Sequence, residues 1–235
     1  MAGETRRAEA ICLDIRPWSR TSHVVTWLTG GGPLATVVKG AVRPKSPFLG
    51  QYDLNYTCDI LYYARATGGL HALRDCLPVR LREGLRGSYR ALAVAGYCRR
   101  LVGDLAPSGP DCQAWLRLLA QVLDVLAAAP ARSRLLPLLV RFELDVLRLS
   151  GLQPDFSGYD REAAWSAFSL EAGSYTAAAG RCVRVPQEVA AYLAHPHATG
   201  NSRVPLDAAR VIGVFYKAHL DCASDVRRSV LGMIS

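Results

Sequence analysis

Three cationic side chains lie within seven positions of the stretch VVKGAVRPKS: Lys39, Arg43 and Lys45. They follow an apolar, β-branched run, and Gly40 and Pro44 interrupt the backbone between them. Ammonium and guanidinium groups on a short turn bind phosphate and other anions. The pattern predicts a cationic turn at the end of a strand that contacts a polyanion, and an ordinary solvated basic turn is the alternative.

The net charge of +8 comes entirely from the first 150 positions. Residues 1–80 and residues 81–150 each hold ten Lys and Arg against six Asp and Glu, whereas residues 151–235 hold eight of each. The segment between Asp14 and Asp53 holds five cations and no acid. A field of one sign suits a nucleic acid, an acidic peptide or an anionic membrane surface, and a basic surface kept for solubility is the alternative.

Aromatic rings beside cations can stack the bases of single-stranded nucleic acid. Six rings are candidates for this role: Trp18, Trp27, Tyr52, Tyr56, Tyr62 and Tyr63. Most of them are expected to pack in a core or at a sheet edge. Tyr52 and Tyr56 are the favoured stacking residues because the polar residues of the segment 51–57 surround them.

Enzyme chemistry finds little support in the chain. GGGP at 30–33 lacks the Lys and the following helix of a phosphate-binding loop, and neither G-x-S-x-G nor H-E-x-x-H occurs. The seven cysteines are scattered without a C-x-x-C pair, which is typical of a reduced cytosolic protein. We expect a cytoplasmic protein that is not an enzyme and has no cofactor, no small-molecule substrate and no membrane segment. A thiol hydrolase using Cys182 and His195 is the enzymatic alternative.

Five apolar, β-branched runs precede residue 80, separated by turns rich in Gly, Pro and Ser. They are EAICLDI (9–15), SHVVTWLT (22–29), PLATVVKG (33–40), YDLNYTCDILYYA (52–64) and LHALRDCL (70–77). No helical period occurs among them. The pattern predicts a small all-β barrel or sandwich with the cationic turn on its rim.

Helical periodicity begins at residue 84. It predicts helices with apolar stripes over 89–105, 115–126 and 135–149, the second one capped by Asp111 and the third ended by Gly151. A weak hairpin with its turn at Gly173, a short helix from Pro186 and an amphipathic helix over 205–221 follow. The fold class is therefore α+β, with a five-stranded barrel domain at 1–80, a mainly α-helical domain at 81–235 and an irregular region around 154–185.

Two segments resemble the RecO family of bacterial DNA repair and recombination mediators. EAICLDIRPWSRTSHVVTWLTGGGPLATVVKGAVRPKS is similar to the N-terminal region of the family, and LLVRFELDVLRLSGLQPDF (138–156) resembles its Phe-Glu-Leu helix with the Gly and Pro that follow. The two segments have the family's order and separation, and the resemblance covers nearly the whole chain.

The resemblance implies an N-terminal OB fold, a C-terminal helical domain and a non-catalytic function in the bacterial cytoplasm, in association with the nucleoid. Family members bind single- and double-stranded DNA, anneal complementary strands and, with RecR, help load RecA onto DNA coated by single-strand-binding protein. By position, the resemblance implies that Lys39, Arg43 and Lys45 of the cationic turn contact the DNA phosphates. Arg16 and Arg20, which precede the turn, are weaker candidates.

In the family, the acidic and hydrophobic C-terminal tail of the single-strand-binding protein docks near the Phe-Glu-Leu helix. The resemblance therefore implies that Arg141 contacts this tail, assisted by Arg132 and Arg134. A plain ion pair between Arg141 and Asp145 on the helix surface is the alternative.

One departure from the family concerns zinc. Many members carry two C-x-x-C pairs just after the Phe-Glu-Leu helix, whereas the corresponding stretch here offers Cys182 alone, and one thiol cannot build a four-ligand site. We predict no structural zinc. Packing among aromatic residues is expected to replace it: Phe156, Tyr159, Trp165 and Phe168.

A protein-interaction adaptor is the alternative function. Its OB-like barrel would bind another protein and its basic helical face an acidic tail, with little direct affinity for DNA. Salt separates the two functions, because affinity for nucleic acid falls steeply as salt rises.

Overall fold

The computed structural model describes residues 4–65, 69–175, 180–196, 203–220 and 224–235. The chain divides into two compact units: unit 1 comprises Met1–Ser88 and Cys98–Ala128, and unit 2 comprises Tyr89–Tyr97 and Ala129–Ser235. Within the described ranges, no helix has both the length and the apolar character that a membrane crossing requires.

The β module of unit 1 contains five strands: β1 (Glu4–Ser19), β2 (Ser22–Thr29), β3 (Gly32–Val38), β4 (Thr57–Ala64) and β5 (Leu70–Arg80). They follow one another around a closed barrel in the order β1-β2-β3-β5-β4. The 16 residues of β1 are enough for its second half to pair with β2 and its first half with β4. β3 and β5 pair in parallel, and the other pairs are antiparallel.

Alternate side chains of each strand point into the barrel, and most of the side chains buried there are apolar. Trp27 is fully buried, and its indole N–H donates to Thr36 Oγ1 at 2.9 Å, which satisfies the one polar group that the ring carries into the core. Cys12, Cys58 and Cys76 belong to the same buried cluster. Burial raises the pKa of the Cys12 thiol, so the thiol behaves as a small apolar side chain.

The fourth strand is shorter than the sequence predicts. Residues 52–64 resemble one continuous strand, but β4 begins at Thr57. The preceding residues form turns, one of them closed by the Tyr56 N–H donating to the Asp53 carbonyl at 3.1 Å. Asn55 has a φ of 68°, a left-handed conformation that a regular strand does not contain.

Six helices lie within the described residues: α1 (Tyr89–Leu105), α2 (Cys112–Ala127), α3 (Arg132–Leu149), α4 (Gln187–Ala194), α5 (Val204–His219) and α6 (Ser224–Ile234). A small sheet accompanies them, with strands β6 (Trp165–Ser169), β7 (Ser174–Tyr175) and β8 (Cys182–Pro186). The predicted hairpin around Gly173 is confirmed as β6 and β7, while β8 and α6 were not predicted. Asp111 occupies the predicted N-cap position of α2, but its side chain makes no capping hydrogen bond.

The two compact units do not coincide with the predicted domains, 1–80 and 81–235. Unit 1 also takes in residues 98–128, because α2 packs against β1 and β2. A polar contact reinforces this packing, since the buried Arg82 side chain binds Asp124 of α2 at 2.8 Å and the Asn55 carbonyl at 2.6 Å. The second half of α1 belongs to unit 1 and the first half to unit 2.

A buried ion pair lies among the helices of unit 2. Glu143 of α3 is fully buried, and Arg227 of α6 donates to both of its carboxylate oxygens at 2.7 and 2.8 Å. The Tyr97 hydroxyl donates to the same carboxylate at 2.7 Å, and the Tyr216 hydroxyl donates to the Glu143 carbonyl at 3.0 Å. Arg227 also donates to the Ala209 carbonyl at 2.6 Å. The network connects α1, α3, α5 and α6.

Candidate nucleic-acid interface

The cationic turn directly follows β3 and is held by its own backbone. The Arg43 N–H donates to the Gly40 carbonyl at 3.1 Å, and the Ser46 N–H donates to the Arg43 carbonyl at 2.9 Å. Gly40 has a φ of 67°, which favours glycine, and Ala41 is buried beneath the turn. The side chains of Lys39, Arg43 and Lys45 are exposed to solvent.

The cationic turn lies against the turn that joins β1 to β2. The Val42 N–H donates to the Thr21 carbonyl at 3.3 Å, and the Gly40 N–H donates to Ser22 Oγ at 3.2 Å. These bonds bring Arg20, which is also exposed, to the same end of the barrel. The four cations here are called the cationic rim: Arg20, Lys39, Arg43 and Lys45.

The cationic rim is not neutralised by acids in the described part of the chain, where none of its four members forms an ion pair. Arg16 differs, since its Nε lies 2.6 Å from Asp14 Oδ2. A guanidinium that already binds a carboxylate has less charge to offer a phosphate. Arg16 is therefore a weaker candidate than the rim, whereas the resemblance ranked Arg16 and Arg20 together as the weaker candidates.

Neither of the two tyrosines predicted to stack bases has a freely accessible ring. Tyr52 packs edge-on against Trp27, its hydroxyl lies 2.8 Å from His23 Nδ1, and burial raises its pKa. Tyr56 is only 9% exposed, and its hydroxyl accepts a hydrogen bond from Arg86 at 3.1 Å. The segment folds back against the barrel core, so its polar neighbours did not indicate exposure.

Two of the six candidate rings are largely exposed: Trp18 at 64% and Tyr63 at 42%. The guanidinium of Arg74 lies over the ring of Tyr63, 5.6 Å from its centroid, and occupies one of its faces. Trp18 is the last residue but one of β1, directly before the turn that carries Arg20. Trp18 is therefore the most exposed of the six candidate rings, and it lies next to the turn that joins β1 to β2.

Arg141 lines a groove in unit 2 with a volume of about 630 Å³. Its Nε lies 3.6 Å from Asp145, which also binds Arg148 at 3.1 Å, so the predicted ion pair is present. Both arginines border the groove, and its apolar lining comes from six residues: Leu144, Pro154, Phe156, Leu193, Ala194 and Pro196. The groove thus combines two cations and two carboxylates, those of Asp145 and Asp155, with apolar residues.

The structure separates the other two predicted tail-binding residues from this groove. Arg132 and Arg134 are exposed in the first turn of α3, and Arg132 donates to the Ser235 carbonyl at 2.8 Å. Arg134 precedes Arg141 by two helical turns, about 10 Å along the axis, on the same helical face. Arg148 follows Arg141 at the same spacing and borders the groove. The seven-residue period applies to Arg134 and Arg148 alike, so it does not show which of the two lies at the groove.

Stacked aromatic rings fill the region where family members carry zinc-binding cysteines. Phe156 and Phe168 stack with centroids 4.8 Å apart, and Tyr159 contacts Tyr175 at 6.3 Å. Trp165 lies outside this cluster, 44% exposed beneath a guanidinium group, so the expectation that it joins the cluster was wrong. No group of three or more metal-binding side chains occurs in the ranges described, and the absence of zinc stays a prediction.

Comparison with known proteins shows similarity to RecO proteins. Residues 86–193 match the family described as Recombination protein O C terminal. The chain is 30% identical over 153 residues to the DNA repair protein RecO of Rhodopirellula baltica, covering 62% of this chain and 53% of that protein. It is 32% identical over 122 residues to the DNA repair protein RecO of Geobacter metallireducens, covering 52% of this chain and 49% of that protein. The chain thus spans about half the length of these two relatives, and its residues 86–193 are similar to the C-terminal region of the RecO family.

Proposed function

We propose that the protein is a DNA-binding recombination mediator. It binds single- and double-stranded DNA, anneals complementary strands, and helps load RecA onto DNA coated by single-strand-binding protein during recombinational repair. The observation that carries this proposal is the cationic rim, a set of four exposed cations on one end of a closed five-stranded barrel. The relatives named DNA repair protein RecO support it.

We further propose that the barrel is an OB fold and the N-terminal domain of a two-domain protein. The strand order β1-β2-β3-β5-β4 supports this assignment, as does the long β1 that pairs with both β2 and β4. OB folds bind single strands by combining cations that contact phosphates with aromatic rings that contact bases. Lys39, Arg43 and Lys45 are the proposed phosphate contacts, joined by Arg20, and Arg16 contributes less.

The test is fluorescence anisotropy of a labelled single-stranded oligonucleotide across a series of salt concentrations. The variant Lys39→Glu/Arg43→Glu/Lys45→Glu is expected to lose binding at moderate salt. If weak binding persists, the dependence of log affinity on log salt should become shallower by about 2, since each phosphate contact contributes roughly 0.7 on a single strand.

A matched variant controls for net charge. Arg161, Arg181 and Lys217 are exposed residues of unit 2, and changing all three to Glu alters the total charge by the same amount. We expect this control to bind DNA nearly as the wild type does. An equal loss of affinity in both variants would contradict a localised cationic rim.

The groove beside Arg141 is the proposed docking site for the C-terminal tail of the single-strand-binding protein. The carboxylates of the tail would compete with Asp145 for Arg141 and Arg148, which both bind that residue. The apolar lining would bind the hydrophobic side chains of the tail. Arg141→Glu is expected to abolish binding of a labelled tail peptide and leave affinity for naked DNA unchanged. Arg132→Glu is the control, since Arg132 does not border the groove.

The groove also favours a second function, that of a protein-interaction adaptor. An adaptor would bind the acidic tail through this groove and show no salt-sensitive affinity for DNA. RecR is the proposed partner in either case, and co-elution of the purified proteins in gel filtration tests that interaction. Tail binding without DNA binding would establish the adaptor instead of the mediator.

A further inference from the structure

We propose that Trp18 is a base-stacking residue through which the cationic rim prefers single-stranded to duplex nucleic acid. The inference rests on the proposed function, because it assigns the class of ligand to the same end of the barrel. The cations alone do not provide this preference, since phosphates are present on both forms. An exposed ring does, because the bases of a single strand are free to leave their stack.

The position of Trp18 in β1 is irregular. Pro17 pairs with His23 of β2 and Ser19 pairs with Ser22, so the register leaves Trp18 opposite no residue of β2. Such a β-bulge changes the direction of a side chain, and bulges are frequent at barrel rims beside binding sites. The Trp18 side chain is 64% exposed, whereas Trp27 on the neighbouring strand is fully buried.

Exposed cations also lie close to Trp18 along the chain. Arg20 lies two residues after Trp18, in the turn whose Thr21 carbonyl accepts a hydrogen bond from Val42 of the cationic turn. Val42 is itself 47% exposed. An exposed ring two residues from an exposed cation suits the stacking of a base while a flanking phosphate is neutralised.

The experiment compares Trp18→Ala with wild type on a single-stranded oligonucleotide and on the matching duplex. Loss of one stacked base is expected to weaken single-strand affinity by roughly 5- to 100-fold and to leave duplex affinity within about twofold of wild type. The salt dependence is expected to stay unchanged, because the indole neutralises no phosphate. Trp18→Phe, which keeps a smaller ring, should lose less affinity.

Trp165→Ala provides the matched control, since Trp165 is the half-exposed tryptophan of unit 2 and its removal should change neither affinity. If Trp18→Ala binds single strands like the wild type while the triple Glu variant of the cationic turn does not, the stacking proposal is overturned and the proposed function stands. A changed salt dependence in Trp18→Ala would also overturn it, since the ring would then position the cations. Wild-type protein that binds neither form would overturn both proposals.

Discussion

Breaking the ion pair between Glu143 and Arg227 should be among the most destabilising single changes in unit 2. Burial alone would lower the pKa of Arg227, but the Glu143 carboxylate outweighs burial and raises that pKa above its ordinary value. Arg227 is therefore charged throughout the pH range in which proteins fold. Its side chain is only 11% exposed, so Glu143→Gln leaves a cation inside the protein without a counter-charge.

Removing one partner of a buried ion pair costs about 3–5 kcal/mol. We expect Glu143→Gln to lower the free energy of unfolding by that amount, although Gln retains the size of Glu and can still accept a hydrogen bond from Tyr97. The double variant Glu143→Gln/Arg227→Met removes the isolated cation. It should therefore be more stable than the sum of the two single losses implies.

Urea unfolding followed by far-UV circular dichroism measures these losses. Asp207→Asn supplies the control, because Asp207 binds Arg210 at 2.7 Å in an exposed pair on α5, and such pairs contribute at most about 1 kcal/mol. A loss below about 1 kcal/mol for Glu143→Gln, or strict additivity in the double variant, would refute the reasoning.

Three further predictions concern separate parts of the chain. Arg82→Met should lower the free energy of unfolding by roughly 1.5–3 kcal/mol, since it removes charged hydrogen bonds to Asp124 and to the barrel backbone. An unchanged midpoint of thermal unfolding would contradict this prediction. Alkylation of the native protein should modify the exposed Cys182 well before the buried thiols of the barrel, as measured by mass spectrometry. Modification of all thiols at the same rate would contradict the burial of the barrel cysteines. The Arg7 guanidinium lowers the pKa of Asp59 below its ordinary 3.8, so Asp59 stabilises the folded state above that pH and the contribution disappears as the pH falls through its lowered pKa. The stability difference between wild type and Asp59→Asn should shrink accordingly, and a difference that persists in acid would count against the pair.

The strands were predictable because their signals are local. β2 and β3 match the predicted runs closely, since each is a short β-branched segment bounded by turn residues. Residues 52–56 were misassigned because Tyr52, Leu54 and Tyr56 alternate as a strand does. The left-handed backbone conformation of Asn55 prevents a regular strand there, and the alternation of apolar and polar residues does not reveal it.

The candidate site was predictable only in part, because exposure depends on distant residues. The cations of the turn at 39–45 were identified from their spacing. Tyr52 was preferred to Trp18, since neither the contact of Tyr52 with Trp27 nor the bulge in β1 follows from neighbouring residues. The pairing of Glu143 with Arg227 joins residues 84 positions apart, a distance at which periodicity carries no information.

The double pairing of β1 has a consequence for synthesis of the chain. β2 can pair with β1, and β3 with β2, as soon as they leave the ribosome, because short turns connect them. The segment Glu4–Ile11 must wait for β4, which emerges about 50 residues later and supplies its partner residues. Until then its unpaired amides and carbonyls are open to another nascent chain. A translation pause before residue 57 would therefore favour aggregation, and a pause after residue 80 would not.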